Sequence, residues 1–334
     1  MSEALKTFLI QYEVNDACNL RCGHCYHGRK VIKENPITLE RLLGDIRGLK
    51  EAIGQDYHIT ISLSGGEVFL RKDLVNMVVR IMMDGHATFL LTNGTLVTPE
   101  NAEKLLIWGV QLARISLDGG TAETHDQIRG AGQFQKAIEG IRTFKEAGQE
   151  VSVSCTLMRG HNDSPEELEA LFQLARQEKV YKLNFVRMFA HGDGKNTPQH
   201  NYTNGLEFKE KLNLLWDLSE KHPDIQVILK DPLAKNLERA KPKNLKIDVC
   251  CYIKRDYLSV AANGNVYACR KLEKTVGNLF EDNLANIWQN NPLLQQMDDR
   301  REYMEGKCKT CPINKECRGG CLAASYGQYE RFFV

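Results

Sequence analysis

Residues 18–26 read Cys18-Asn19-Leu20-Arg21-Cys22-Gly23-His24-Cys25-Tyr26, three thiols inside eight positions, directly after a β-rich run at Thr7–Val14. No fourth cysteine lies nearby. Thiolates are soft ligands that suit iron–sulfur clusters or zinc, and a structural zinc ordinarily closes its tetrahedron with four protein groups. Three cysteines leave one metal position open. A zinc completed by His24 or His27 is the alternative that this stretch leaves standing.

Outward from the cysteines, up to about residue 190, short β-rich runs alternate with amphipathic helical runs. That alternation favours parallel βα units over a sandwich or a bundle. Strands are expected near Thr7–Val14, His58–Leu63, Ala87–Thr92, Leu112–Leu117, Val151–Leu157 and Tyr181–Arg187. Each is mostly Val, Ile, Leu, Phe or Thr, as a sheet covered by helices requires. Leu39, Leu42, Leu43, Ile46, Leu49 and Ile53 recur at helical spacing and form one apolar face that should cover the sheet. A further helix opens at Ser164-Pro165-Glu166-Glu167, where Ser164 can cap, Pro165 suits the first turn and Glu167 can complete a capping box. Beyond Arg187 the texture changes: Ala190–Gly194 reads as a loop, Leu206–Lys221 as a helix, and the remainder is Cys-rich with Asn-Gly turn signals. Three regions are expected, at 1–190, 191–234 (a helical bridge) and 235–334.

Successive strand ends carry polar motifs in order. Ser64-Gly65-Gly66-Glu67 follows the second strand, Leu91-Thr92-Asn93-Gly94 ends the third, and Ile115-Ser116-Leu117-Asp118-Gly119 ends the fourth, with His125-Asp126-Gln127-Ile128-Arg129 beyond. Functional groups of parallel sheets gather at the carboxyl ends of strands, so these motifs and the cysteines describe one pocket. Paired glycines let a backbone approach a ligand where a side chain would collide.

Composition narrows the partners. The 334 residues carry 44 Lys+Arg against 43 Asp+Glu, a formal charge of +1. No global field points to nucleic acid or to an anionic membrane. Neither an export signal nor an apolar run of about 18 residues is present, so a cytoplasmic location is expected. Eleven cysteines in a reducing compartment argue for metal binding or catalysis rather than disulfides. Seven of them, Cys250, Cys251, Cys269, Cys308, Cys311, Cys317 and Cys321, fall in the last quarter of the chain. Cys251, Gly264 and Cys269 fit C-x12-G-x4-C, and the later group reads C-x2-C-x5-C-x3-C. A zinc ribbon is the alternative for this region. Cys155, inside an apolar strand, reads as a buried core residue.

The C-x3-C-x2-C spacing and the ordered strand-end motifs resemble the radical S-adenosylmethionine (SAM) superfamily. The C-terminal spacings resemble the SPASM extension found in peptide and sulfatase maturases of that superfamily. The resemblance implies an α/β fold, a partial (β/α)6 radical SAM barrel with a small Cys-rich C-terminal SPASM domain. It implies a [4Fe-4S] cluster on Cys18, Cys22 and Cys25 whose open iron is chelated by SAM. Gly65, Gly66 and Glu67 would bind the SAM amino group, Ser116 and Arg129 the methionine carboxylate, and Tyr26 would lie near the adenine, with Asn93 and Asp118 in the same pocket.

One or two auxiliary clusters are also implied. Cys269 and Cys321, with Cys251 and Cys250 as further candidates, would bind the first; Cys308, Cys311 and Cys317 would supply three ligands to the second. The family's next cysteine is absent before Val334. A shortened chain, a non-cysteine ligand and an open iron all remain as explanations.

The activity implied is reductive cleavage of SAM to a 5′-deoxyadenosyl radical that oxidatively modifies a ribosomally made peptide by crosslinking, oxidation or excision. Arg187, Asp231 and Arg270 are candidates for substrate contact. Expected partners are the peptide, a separate leader-binding protein, since the motif starts as early as Cys18, and an electron donor such as flavodoxin or ferredoxin. Neither nucleic acid nor membrane is expected. Two alternatives stand: a non-peptide metabolite such as a haem-pathway intermediate as substrate, and a non-catalytic iron–sulfur or zinc protein.

Overall fold

The computed structural model describes residues 5–28, 38–202, 205–248, 256–272, 274–298, 300–312 and 314–324. Six strands follow one another in βα order: β1 (Lys6–Glu13), β2 (Tyr57–Ser64), β3 (Ala87–Thr92), β4 (Val110–Ser116), β5 (Val151–Leu157) and β6 (Lys182–Arg187). Between them run α1 (Leu39–Ile53), α2 (Leu74–Met83), α3 (Pro99–Ile107), α4 (Ala122–Arg129), α5 (Gln133–Glu146) and α6 (Pro165–Gln177). All six strands are parallel and adjacent in sequence order, each joined to the next by a crossover that contains a helix. The six expected strands are all present, with ends shifted by a residue or two. This is the partial (β/α)6 barrel.

The helical faces are where their spacing put them. Leu39, Leu42, Leu43, Ile46 and Leu49 of α1 are buried in the main core with Phe8, Ile10 and Ile61 of the sheet. Burying each such side chain contributes roughly 1.5–3 kcal/mol. Ser164 caps α6 by accepting the Glu167 N–H at 3.2 Å, with Pro165 in the first turn. The return bond from the Glu167 carboxylate is not formed, so half of the expected capping box exists. Instead α3 carries a complete box, with Thr98 and Asn101 bonded reciprocally.

Beyond Arg187 the chain adds α7 (Gly205–Lys221), β7 (Gln226–Leu229) and β8 (Leu245–Ile247), then β9 (Tyr257–Val260), β10 (Asn265–Tyr267) and β11 (Thr275–Asn278), followed by α8 (Leu284–Asn290). The segment expected to be a helical bridge therefore contains α7 and also a strand, β7, parallel to β6. Strands of four and three residues are too short to show a period of two, which is why β7 and β8 left no sequence signal. On the other side β9 lies parallel to β1, pairing Ile10 with Leu258. The hairpin β9–β10 turns at Asn263-Gly264, where Gly264 adopts φ +81°, a left-handed conformation suited to glycine. Among the described residues one sheet of 11 strands results, ordered β11-β10-β9-β1-β2-β3-β4-β5-β6-β7-β8. The C-terminal hairpin is thereby set against the strand that leads into the first cysteines. Among the described residues no helix is long and apolar enough to cross a membrane.

Candidate functional site

The chain leaves β1 at Glu13 and crosses the carboxyl edge of the sheet as the loop 14–28, which carries Cys18, Cys22 and Cys25. Its seat is the turn after β2. Gly66 N–H donates to the Asn15 carbonyl (3.0 Å), Glu67 N–H to the Ala17 carbonyl (2.8 Å), and Asn15 Nδ2 returns a bond to the Glu67 carbonyl (2.9 Å). Gly65 has φ +139°, and a Cβ on either glycine would collide with the backbone of residues 15–17. The paired glycines thus admit the chain's own backbone, immediately before Cys18.

Glu67 is buried and its carboxylate accepts from Thr92 Oγ1 (2.6 Å), Asn93 N–H (2.8 Å) and Phe69 N–H (3.2 Å). Burial raises its pKa against the pull of those donors. Both oxygens are engaged inside the protein, tying the end of β2 to the end of β3. Asn93 continues the tie: its Nδ2 donates to Asn19 Oδ1 at 2.9 Å and lies 4.0 Å from Cys18 Sγ.

Asp118, at the end of β4, is the hub of the opposite wall and is fully buried. Its Oδ2 accepts from Arg129 Nε (2.6 Å) and faces His24 Nε2 (3.3 Å), while Oδ1 accepts from Thr156 N–H (2.7 Å). Its own N–H donates to His125 Nδ1 (3.2 Å), and its carbonyl accepts from Asn162 Nδ2 (2.8 Å). Burial works to raise the Asp118 pKa, but Arg129 and His24 hold it below the usual range. Burial drives His24 down to about 4 despite Asp118, leaving a neutral ring. Arg129 reaches on from Asp118 to Cys22, with Nη1 3.9 Å from Sγ. Burial pushes the Cys22 thiol up to about 11, Arg129 opposing; a bound metal removes that proton outright. Ser116, half-buried, closes β4 beside this hub.

Tyr26 sits away from that wall, toward the C-terminal hairpin. Its ring lies 4.4 Å from His27 and beneath the Arg270 guanidinium (5.5 Å), and its hydroxyl accepts from Gln11 Nε2 (3.4 Å). Arg270 is also stacked on Tyr267 (4.8 Å) and donates from Nε to Glu13 Oε1. Glu13, Asp16 and His27 bring ligand-type atoms within 4.8 Å of one another. The Arg270 guanidinium supplies the positive charge there. Farther along the same edge Arg187, the last residue of β6, is ion-paired with Asp231 at 2.8 Å, both buried, with the guanidinium over Phe208 (4.9 Å). Burial raises the Asp231 pKa, while Arg187, the Leu233 N–H and Lys271 oppose it.

Of the C-terminal cysteines, Cys269 is half-buried and Cys321 buried. The two are close enough that, after burial, Cys321 is the main cause raising the Cys269 thiol, with Lys271 lowering it. Cys308 and Cys311 are half-buried on one short turn, Cys311 N–H bonding the Cys308 carbonyl at 3.4 Å. Cys317 ends a short helix, Asn314–Cys317. Cys250 and Cys251 lie outside the described residues, as does 325–334. Cys155 is buried in β5, its sulfur 3.7 Å from Asn162 Nδ2.

The donor set fits an iron–sulfur cluster. Cys18, Cys22 and Cys25 are free thiols on one loop, and N–H groups of Leu20 (3.4 Å) and Arg129 point at their sulfurs, the contacts that tune such clusters. The histidines that would complete a zinc are turned elsewhere, His24 to Asp118 and His27 to Glu13 (3.6 Å). Sequence reasoning missed Glu13 and Asn162. A carboxylate closing a strand that is otherwise largely apolar is the signal that could have found Glu13; Asn162 left none.

Residues 12–175 match the Radical SAM superfamily model, and residues 250–312 match SPASM, an iron–sulfur cluster-binding domain. The chain is 27% identical over 331 residues to the AdoMet-dependent heme synthase of Nitratidesulfovibrio vulgaris, spanning 95% of this chain and 88% of that one. It is likewise 27% identical over 322 residues to the mycofactocin maturase MftC of Mycolicibacterium smegmatis, spanning 95% and 78%. The crystal structure of Streptococcus suis SuiB bound to the precursor peptide SuiA superposes with a TM-score of 0.76 at 16% identity, over 99% of this chain and 75% of that one, a likeness of fold. [4Fe-4S] clusters and SAM are the cofactors of such domains and of this protein. With its thiol loop on the carboxyl edge of a parallel sheet and its second cysteine region beyond, the chain belongs to the radical SAM superfamily and carries a SPASM domain.

Proposed function

We propose that the protein cleaves SAM reductively and oxidatively modifies a ribosomally made peptide. The observation that carries the chemistry is the three-thiol loop braced at the mouth of the parallel sheet, with one metal position left for a ligand. Cys18, Cys22 and Cys25 would hold the first cluster, which would supply the electron for reductive cleavage of SAM to methionine and a 5′-deoxyadenosyl radical. Gly65 and Gly66 seat the loop, Glu67 and Asn93 hold the ends of β2 and β3 to it, and Ser116 and Arg129 line the side where the methionine carboxylate belongs. Asp118 and His24 keep that wall dry and ordered.

In the region 235–334, Cys269 and Cys321, joined by Cys250 and Cys251, bind one auxiliary cluster, and Cys308, Cys311 and Cys317 contribute to another. Residues 1–190 form the barrel and 191–234 the connection. Arg187, Asp231 and Arg270 stand at the same edge and orient the substrate. A separate leader-binding protein and a flavodoxin- or ferredoxin-type donor complete the system, in the cytoplasm. The peptide reading is supported by the maturase relative and by a fold neighbour that holds a precursor peptide.

A second reading, oxidation of a haem-pathway intermediate, is favoured by the heme synthase relative, which this chain spans over 88% of its length. Anaerobic protein with SAM and dithionite, given either a candidate precursor peptide or an iron porphyrin carboxylate, separates the two. Product mass change with 5′-deoxyadenosine on the peptide alone supports the first reading, and the same on the porphyrin alone replaces it with the second. No 5′-deoxyadenosine under any condition sinks both.

A further inference from the structure

We infer that Arg129 is a tuning donor to the Cys22 thiolate, positioned by Asp118, and that this contact raises the reduction potential of the cluster on Cys18, Cys22 and Cys25. The inference rests on those three cysteines being the cluster's ligands. Arg129 closes α4, and the preceding carbonyl, that of Ile128, accepts the Gly23 N–H at 3.2 Å, so helix end and cysteine loop are already docked. Nε is committed to Asp118 Oδ2 at 2.6 Å, and Nη1 then reaches Cys22 Sγ at 3.9 Å.

The guanidinium cannot swing away freely. Asp118 is itself locked through Thr156 N–H, His24 Nε2 and Asn162 Nδ2, drawn from three different segments. A planar fork whose first edge is fixed has its second edge fixed too. One-electron reduction adds negative charge that the ligating sulfurs share, and a buried cation donating an N–H to one of them stabilises the reduced form more than the oxidised form. Asp118 offsets part of this, but it meets the fork on the Nε edge at 2.6 Å, while Nη1 is the part of the cation that faces Cys22 Sγ. Arg129 serves the thiolate in this way whether or not it also meets the SAM carboxylate.

The test is an EPR-monitored redox titration of the full, anaerobically reconstituted chain without SAM, so that any effect through SAM binding is excluded. The first cluster's signal is the one lost in a Cys18/Cys22/Cys25→Ala triple variant. Arg129→Gln should lower its reduction equilibrium by about tenfold, which is about 59 mV for a one-electron couple. Arg129→Lys should keep part of the difference, and Asp118→Asn, which frees the fork while also removing a buried negative charge, should lower the potential less than Arg129→Gln does. An unshifted potential in Arg129→Gln with the cluster assembled overturns the inference. So does failure of both Arg129→Gln and Arg129→Lys to assemble the cluster, which would assign the arginine to assembly. A wild-type chain with no signal that the triple variant lacks would instead bring down the ligand assignment itself.

Discussion

Arg270, one residue past Cys269, reaches across 257 positions of sequence to Glu13, the last residue of β1. The pair is buried on both sides, with 10% and 0% of the side chains exposed. It joins the strand that launches the first cysteine loop to the hairpin that carries a C-terminal cysteine, and Tyr26 and Tyr267 flank the guanidinium.

Removing one partner of such a pair leaves an uncompensated buried charge, at a cost of about 3–5 kcal/mol. Arg270→Ala should therefore lower the denaturant midpoint sharply, and Arg270→Ala with Glu13→Gln should recover part of the loss. Anaerobic urea unfolding measures both. A loss well under about 1 kcal/mol in the single variant would mean that the pair does not hold the hairpin to β1.

Gly66→Ala places a methyl group against the Ala17 carbonyl, where backbone has no room to yield. The loop beginning at Cys18 must lift from its seat. Reconstituted variant is expected to lose roughly four irons per chain, those of one [4Fe-4S] cluster, while the remaining clusters persist. Unchanged iron content would show that the loop closes on its cluster without the glycine seat.

Asp231→Asn keeps the shape of the Arg187 partner and removes its charge. Misplacing a substrate by about 1 Å costs on the order of 100-fold in rate, so product should fall by that order while 5′-deoxyadenosine falls much less. Chromatography of both products from one reaction reads the split. Equal losses of the two would move Asp231 from substrate orientation to the SAM site or to folding.

His125 accepts the Asp118 N–H at Nδ1, which requires a neutral ring, and burial holds its pKa down at about 4, Arg129 adding to the effect. The folded pKa lies below the unfolded value of about 6.5. Between those values the unfolded chain binds more protons, so stability is full above about 6.5 and falls as the pH drops toward 4. One such group contributes a slope of up to about 1.4 kcal/mol per pH unit. Urea midpoints from about pH 7.5 to about pH 5.5, with iron content checked throughout, should fall in the wild type and fall less in His125→Gln. Identical slopes would remove His125 from the acid response.

The six barrel strands were legible because a sheet covered on both faces leaves continuous apolar runs, and α1 because its apolar positions repeat at helical spacing. The thiol loop was legible from spacing alone. β7 and β8 were not, since their pairing is supplied by neighbours rather than by any period of their own. Glu67 shows the same limit at the site: its residue type and place in the chain give no sign that Thr92 Oγ1 and the Asn93 N–H bond to its two oxygens.

What the sequence determined by itself is the order of motifs along the strands, and so the side of the sheet on which the chemistry gathers, because each βα unit delivers its loop to the same edge. Only the tertiary structure decided which donor meets which acceptor there: Arg129 with Asp118 and Cys22, Arg270 with Glu13, His24 with Asp118 rather than with a metal. A charged residue in a sequence carries no record of its partner. Its pairing is settled when burial strips its water and the only compensating group within reach is one that closure of the fold has brought from elsewhere in the chain.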